Sequence, residues 1–328
     1  MVLCMKYDKL TQKKSVLDSY RPLHSDIVRN LDDWFRVELT YTSNAIEGNT
    51  LTRRETALVV EKGLTVGGKS LTEHLEATNH ASALDWVKEK VAATQKNISE
   101  KDILKIHDVI LKGIDDHNSG QYRNVSVRIS GSAVVLPNHA KVSYLMEEFA
   151  DWLATDNDIH PVEFAAEAHY RLVTIHPFTD GNGRTARLLM NMILLMSGYP
   201  PAIIRKRDRL KYITALETAQ LGGSKEAYLK LIAKAVDRSL DIYIKAVKGE
   251  DAEQENGDTL LKIGELAKAV GEANSTIRHW TKEGLLEVSD ITDSGYHLYA
   301  TDTIERIKQI HVLKKKRLTL QEIKRHLT

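Results

Sequence analysis

Apolar residues recur at helical spacing through most of the first part of the chain. In "ISEKDILKIHDVILKGI" isoleucines stand at 103, 106, 110 and 114, three and four apart, behind Ser99 as a prospective N-cap. Pro161 suits a first helical turn and opens "PVEFAAEAHYRLVTI". That segment runs into "IHPFTDGNGRTARLLMNMILLMSG", where dense polar chemistry gives way abruptly to an apolar run. One stretch has period two instead. "VSVRISGSAVVLP", Val125 to Pro137, alternates apolar and polar residues and breaks at Gly131-Ser132, which predicts a β-hairpin. Such a ribbon is either a small structural element or a flap over a site.

Residues 248–258, "KGEDAEQENGD", hold no large apolar side chain and predict a solvated linker. Beyond it, "KIGELAKAVGEANSTIRHWTKEGLL" predicts helix, turn, helix, with Ile263, Leu266, Ala267 and Val270 on one face and Ile277 and Trp280 on the next. "GYHLY" follows as a short wing, then a helix carrying "LKKKR" and the capped "TLQEIKRHL". No fixed-period repeat is present.

Composition narrows the function classes. The chain has 328 residues and a net charge of +1, so no polyelectrolyte role follows for the whole molecule. The single Cys4 excludes internal disulfides and fits a reducing compartment. No apolar run is long enough to span a bilayer, and "MVLCMKYDKLTQKK" lacks the basic-then-apolar order of a secretory signal. The expectation is a cytoplasmic protein that does not enter a membrane.

The chemistry concentrates at "HPFTDGNGR". Glycines before an apolar-periodic segment predict a loop feeding a helix N-terminus, where unpaired amides and the helix dipole favour a phosphate. Arg184 and Arg187, three apart, add two cations to the first turn, which suits a polyphosphate. Asp180 beside bound phosphates would repel them unless a cation such as Mg²⁺ sat between. His176 is then a candidate general base. Taken singly, each has a plainer reading: a structural histidine, an N-cap, surface charges, a turn. Their joint spacing favours the site.

"HPFTDGNGRTAR" resembles, at every defining position, the motif H-x-F-x-[D/E]-G-N-G-R-x-x-R of the Fic family. The matching residues are His176, Phe178, Asp180, Gly181, Asn182, Gly183, Arg184 and Arg187. The resemblance extends from about Phe35 to Val247 and includes "EHLEATNHASAL". It implies an all-α helical core with a small β-hairpin flap that transfers AMP from ATP to a protein Ser, Thr or Tyr hydroxyl. By that likeness His176 deprotonates the hydroxyl, Asp180 holds Mg²⁺, and the amides around Gly181, Asn182 and Gly183 cradle the α- and β-phosphates. Arg184 and Arg187 bind the outer phosphates, Phe178 anchors the loop, and the 125–137 ribbon aligns the target by strand addition. A kinase-like branch of the family has lysine where this chain has Gly183, which favours nucleotidyl over phosphoryl transfer here. Tyr212 resembles a nucleotide-side contact; a core aromatic on an amphipathic helix is the other reading. A homodimer through the core is common in the family.

A second pattern, Ser43-x-x-x-Glu47-Gly48, lies in "TYTSNAIEGNTLT". On a helix Ser43 and Glu47 share a face and Gly48 suits a C-terminal cap, yet an acid there opposes the dipole. The pattern resembles the family's inhibitory helix, which implies that Glu47 pairs with Arg187 and blocks the γ-phosphate site. The alternative is an exposed or locally paired acid.

The organisation expected is an N-terminal region with the inhibitory helix (1–52), a Fic core (53–247), the linker (248–258) and a winged helix-turn-helix (259–328). The last resembles the MerR type, with His297 in place of the usual wing arginine and the given sequence stopping where the family's dimerising coiled coil would continue. It carries twelve Lys or Arg against nine Asp or Glu, a net +3. Ser275, Thr276, Arg278 and His279 suit a DNA groove and Lys282 a phosphate; docking a protein is the alternative. Three whole-chain readings follow: a restrained adenylylyltransferase, a DNA-binding regulator with a nucleotide-sensing core, or an enzyme of this fold that removes AMP using Glu47.

Overall fold

The computed structural model describes residues 5–93, 97–155, 158–250, 260–291, 296–301, 303–315 and 318–327. Two compact units result, one of residues 1–204 and 215–252, the other of 205–214 and 253–328. The grouping of 205–214 with the second unit has no signature in the sequence. Most of the expected linker, 251–258, lies outside the described residues.

The first unit is helical. In chain order it contains α1 (Met5–Asp18), α2 (Ser25–Ile46), α3 (Arg53–Lys62), α4 (Leu71–Ala92), α5 (Glu100–Leu111), α6 (Val142–Ala154), α7 (Pro161–Ile175) and α8 (Asn182–Met196). The later part of α9 (Arg209–Gln220) and α10 (Glu226–Lys248) complete it. Local signals set several helix starts. Thr52 and Glu55 form a capping box at α3, and Ser70 and Glu73 do so at α4. Ser99 precedes α5 as expected, its N–H donating to Asp102 at 2.7 Å.

The apolar run of the motif becomes α8, which is buried on every face from Arg184 to Leu194 and packs along α7 and against α4 and α5. A helix apolar all round belongs inside a core. Asn191 interrupts that run without penalty because its side chain accepts from the Ala202 N–H at 2.8 Å. The core thus holds the N-terminal turn of α8 and buries most of the loop before it, 176–181, in which only Asp180 is exposed.

The expected hairpin differs from the structure. Residues 125–137 form no strand; only the turn remains, with Ser132 N–H donating to Ile129 O at 3.2 Å. The reason is where the backbone groups go. The Val125 and Pro137 carbonyls accept from Arg123, and the Ala133 N–H donates to Glu217, so these groups serve other partners than a cross-strand ladder. The residues of this segment are exposed or half-buried, with Val135 92% exposed.

The second unit contains β1 (Leu260–Lys262), α11 (Ile263–Val270), α12 (Asn274–Lys282), β2 (Asp290–Ile291), β3 (His297–Ala300), α13 (Thr303–Lys315) and α14 (Leu320–Leu327). The strands make an antiparallel sheet in the order β1-β3-β2, with Leu261 opposite Tyr299 and Asp290 opposite Leu298. Gly271, at φ 70°, makes the turn between α11 and α12 that few other residues tolerate. Leu266, Ile277, Trp280, Tyr299, Ile307 and Ile310 form the core, as the apolar pattern predicts for α11 and α12.

Candidate active site

His176 closes α7 as its C-cap at φ 52°, the one non-glycine residue of positive φ among those described. Such a backbone costs on the order of 1–3 kcal/mol and persists only where its surroundings impose it. Here its N–H donates to Leu172 O and its carbonyl accepts from Arg123 Nε at 2.8 Å. The ring Nδ1 lies 3.4 Å from Val173 O. A carbonyl only accepts, so Nδ1 carries the hydrogen and Nε2 keeps its lone pair. Burial pushes the imidazole toward the neutral form; the Val173 bond opposes this, the Arg123 charge reinforces it, and Glu47 and Asp180 oppose it. A neutral imidazole with Nε2 free can accept a proton.

The loop that follows is pinned from beneath. Phe178 is fully buried and stacks on His107, ring centroids 3.6 Å apart. His107 Nδ1 accepts from Gly120 N–H at 3.0 Å, so its Nε2–H donates to Asp180 O at 3.1 Å. Burial depresses its pKa to about 4 and keeps it neutral. The Asn182 amide accepts from Phe178 N–H and donates to Phe178 O, both at 2.9 Å, so its side chain fastens the loop. Gly181 N-caps α8 at φ 75°, and a β-carbon there would press against the His107 ring at 3.2 Å. The first-turn amides of α8 have no partner within the helix and form an anion-binding end.

The two arginines of that turn are buried and point to different partners. Arg184 donates to Glu76 Oε1 at 2.9 Å and to Asp180 Oδ2 at 3.1 Å. Arg187 donates from Nε to Ser43 Oγ at 3.0 Å, and from Nη2 to Ser43 O at 2.9 Å and Glu47 Oε1 at 2.7 Å. The expected Ser43 and Glu47 face of α2 therefore closes on Arg187. Glu47 Oε1 also lies so close over Gly183 that a β-carbon there would collide with it. The carboxylate occupies the mouth of the anion-binding turn.

Asp180 is two-thirds exposed at its side chain, beside that turn. Among the described residues no group of three or more His, Cys, Asp or Glu gathers to hold a metal alone. One exposed carboxylate fits Mg²⁺, which takes few protein ligands and completes its shell with phosphate oxygens and water. Tyr212 is buried, 3% exposed, within α9. On α12, Ser275, Arg278, His279 and Lys282 are exposed, Thr276 is half-buried, and His297 is exposed on β3.

Sequence reasoning missed three residues here: His107, Glu76 and Arg123. His107 left a trace, a histidine four after Ile103 on the apolar stripe of α5. Glu76 and Arg123 left none that spacing shows, because the site residues they bond, Arg184 and His176, lie 108 and 53 positions away.

Comparison with known proteins agrees with this geometry. Residues 97–194 match the Fic/DOC family, and 261–328 match the MerR HTH family regulatory protein model. Protein adenylyltransferase Fic of Culex quinquefasciatus is 35% identical over 269 residues, 81% of this chain and 52% of that protein. That of Nematostella vectensis is 38% identical over 239 residues, 72% of this chain and 55% of that protein. The chain spans about half the length of the curated relatives it matches. A Fic domain containing signaling protein from Bacteroides thetaiotaomicron superposes with a TM-score of 0.68 at 31% identity, covering 75% of this chain and 100% of that one. Fic-1 from C. elegans gives 0.68 at 34%, covering 76% and 74%. A histidine-capped helix, a glycine-bounded anion turn and a likeness that spans a whole solved relative establish that this chain belongs to the Fic/DOC family.

Proposed function

We propose that the chain transfers AMP from ATP to a hydroxyl of a protein, and that Glu47 restrains it. The amides of Gly181 to Gly183 would receive the α- and β-phosphates. His176 Nε2 takes the proton as the Ser, Thr or Tyr oxygen attacks the α-phosphorus. The bond from that phosphorus to the bridging oxygen breaks, and pyrophosphate leaves. Asp180 would hold Mg²⁺, which when bound neutralises charge on the departing pyrophosphate. Relatives named as protein adenylyltransferases support this reaction.

The observation that carries the reading is the grip of Ser43 and Glu47 on Arg187 within an otherwise assembled site. With its guanidinium engaged, Arg187 does not reach an outer phosphate, and ATP binds with its α-phosphate misaligned. A shift of about an ångström can cost on the order of a hundredfold in rate. Intact mass spectrometry after incubation with ATP and Mg²⁺ tests the reaction. The Glu47→Gly chain should gain adenylyl groups and the Glu47→Gly, His176→Ala chain none; equal gain in both sinks the reading.

A second reading concerns the C-terminal unit, for which the exposed Ser275, Arg278, His279 and Lys282 on α12 favour duplex DNA. The full chain should retard a duplex with steep salt dependence, and Arg278→Ala, Lys282→Ala should flatten that slope. No retardation at low salt would favour protein docking instead.

A further inference from the structure

Arg123 is 4% exposed, and no carboxylate among the described residues pairs with it. Its guanidinium is satisfied by three backbone carbonyls instead. Nε donates to His176 O at 2.8 Å, Nη1 to Val125 O at 3.0 Å and Nη2 to Pro137 O at 2.7 Å. Its own N–H donates to Pro177 O at 2.9 Å. A cation buried on neutral acceptors alone is an expensive arrangement, and burial weakens its hold on the proton.

What the three carbonyls have in common is position. Val125 and Pro137 are the two feet of the 125–137 loop, and His176 carries the base. That loop has no ladder of its own to fix its shape. Its tip is tied separately, with Ser132 Oγ and Ala133 N–H donating to Glu217 Oε1 at 2.7 and 3.0 Å. The planar fork of an arginine reaches separated acceptors from three nitrogens, whereas the three donors of a lysine radiate from one.

We infer that Arg123 is the positioning residue that registers the target-docking loop against His176, so that a hydroxyl laid along the loop meets Nε2. The inference rests on the reading of His176 as base and of 125–137 as the docking loop. Without the guanidinium the feet part from the base while the anion turn, held by His107 and Asn182, stays in place. The damage therefore falls on presentation of the hydroxyl and spares nucleotide binding. A second consequence is electrostatic. The charges that bear on the His176 ring are Arg123, Glu47 and Asp180, and of these only Arg123 favours the neutral imidazole.

Arg123→Lys and Arg123→Met in the Glu47→Gly chain test this. Each is to be checked for native helical content by circular dichroism. Calorimetric ATP affinity should stay within about twofold, AMP transfer to the chain itself should fall at least tenfold in both, and hydrogen exchange of 125–137 should accelerate. NMR titration of the His176 imidazole should move upward in Arg123→Met and stay near the parent in Arg123→Lys, which keeps the charge. If Arg123→Met does not fold, the lysine variant decides by its transfer and exchange. Transfer within twofold of the parent, or ATP affinity lost in step with transfer, overturns the inference. Should the Glu47→Gly parent transfer no AMP, the proposed function fails by itself. Loop exchange and the His176 titration then decide the role of Arg123: both unchanged overturn it, and both moved as stated support it.

Discussion

Replacing Glu47 by glycine should raise AMP transfer, and the structure supplies the size of the effect. Arg187 donates to the Ser43 hydroxyl, to the Ser43 carbonyl and, at 2.7 Å, to the Glu47 carboxylate. A hydrogen bond to a charged partner contributes about 1.5–3 kcal/mol. Each 1.4 kcal/mol, roughly, is a factor of ten, so losing the carboxylate corresponds to about ten- to a hundredfold. The Glu47 side chain is 39% exposed, and solvent screening moves the effect toward the lower end. The same change uncovers Gly183, because the carboxylate lies where a ligand must approach the turn. Glu47 is the C-cap of α2 at φ −86°, a conformation glycine adopts without strain, at a stability cost of up to about 1 kcal/mol. The assay is transfer of label from ATP to the chain itself, with a melting curve beside it. At least a tenfold rise with a small fall in melting temperature is expected, and Glu47→Gln should lie between. The gain should vanish in Glu47→Gly, Arg187→Ala, since the freed guanidinium is its cause. If Glu47→Gly transfers no more than the parent, or the double variant keeps the gain, the restraint does not run through this ion pair.

Other outcomes follow from the same geometry. His176→Ala in the Glu47→Gly chain should lower transfer by roughly two to four orders of magnitude while calorimetric ATP affinity persists; retained transfer would remove His176 from the chemistry. Asp180→Ala should abolish the stimulation of nucleotide binding by Mg²⁺, and an unchanged Mg²⁺ titration by calorimetry would refute the metal assignment. Stability should fall below about pH 6.5, because burial depresses the pKa of His80 and His169 to about 3 each and of His107 to about 4. These groups bind protons more readily unfolded than folded, so their contribution is present above the unfolded pKa and shrinks as pH falls toward the folded values. By pH 5 the loss should be on the order of 2 kcal/mol for each, and melting temperatures equal at pH 7.5 and pH 5 would contradict it.

The site was legible where its parts lie close in sequence. One stretch of a dozen residues carries His176, the glycine turn and both arginines, so spacing alone exposed the candidate site. Ser43 and Glu47 were legible as a pair one helical turn apart, and the structure joins them to Arg187, 144 and 140 positions away. What spacing cannot show is the destination of a long side chain. Arg184 and Arg187 sit on one turn yet part toward Glu76 and toward α2, which depends on how α4 and α2 pack against α8. The 125–137 segment shows the same limit in the backbone. Alternation marks an extended chain, but Arg123 and Glu217 take groups that a hairpin ladder would use. The apolar faces of α11 and α12 needed no such information, because their core closes within the unit.

The most direct test of nucleotidyl transfer is which phosphate of ATP marks the protein. The Glu47→Gly chain, incubated with Mg²⁺ and ATP labelled either at the α- or at the γ-phosphate, should acquire label from the α position alone. That label should be lost in the His176→Ala version. A glycine at 183 and a His176 Nε2 that keeps its lone pair both fit attack at the α-phosphorus. Label arriving from the γ-phosphate, or α-label that survives loss of His176, would contradict the account.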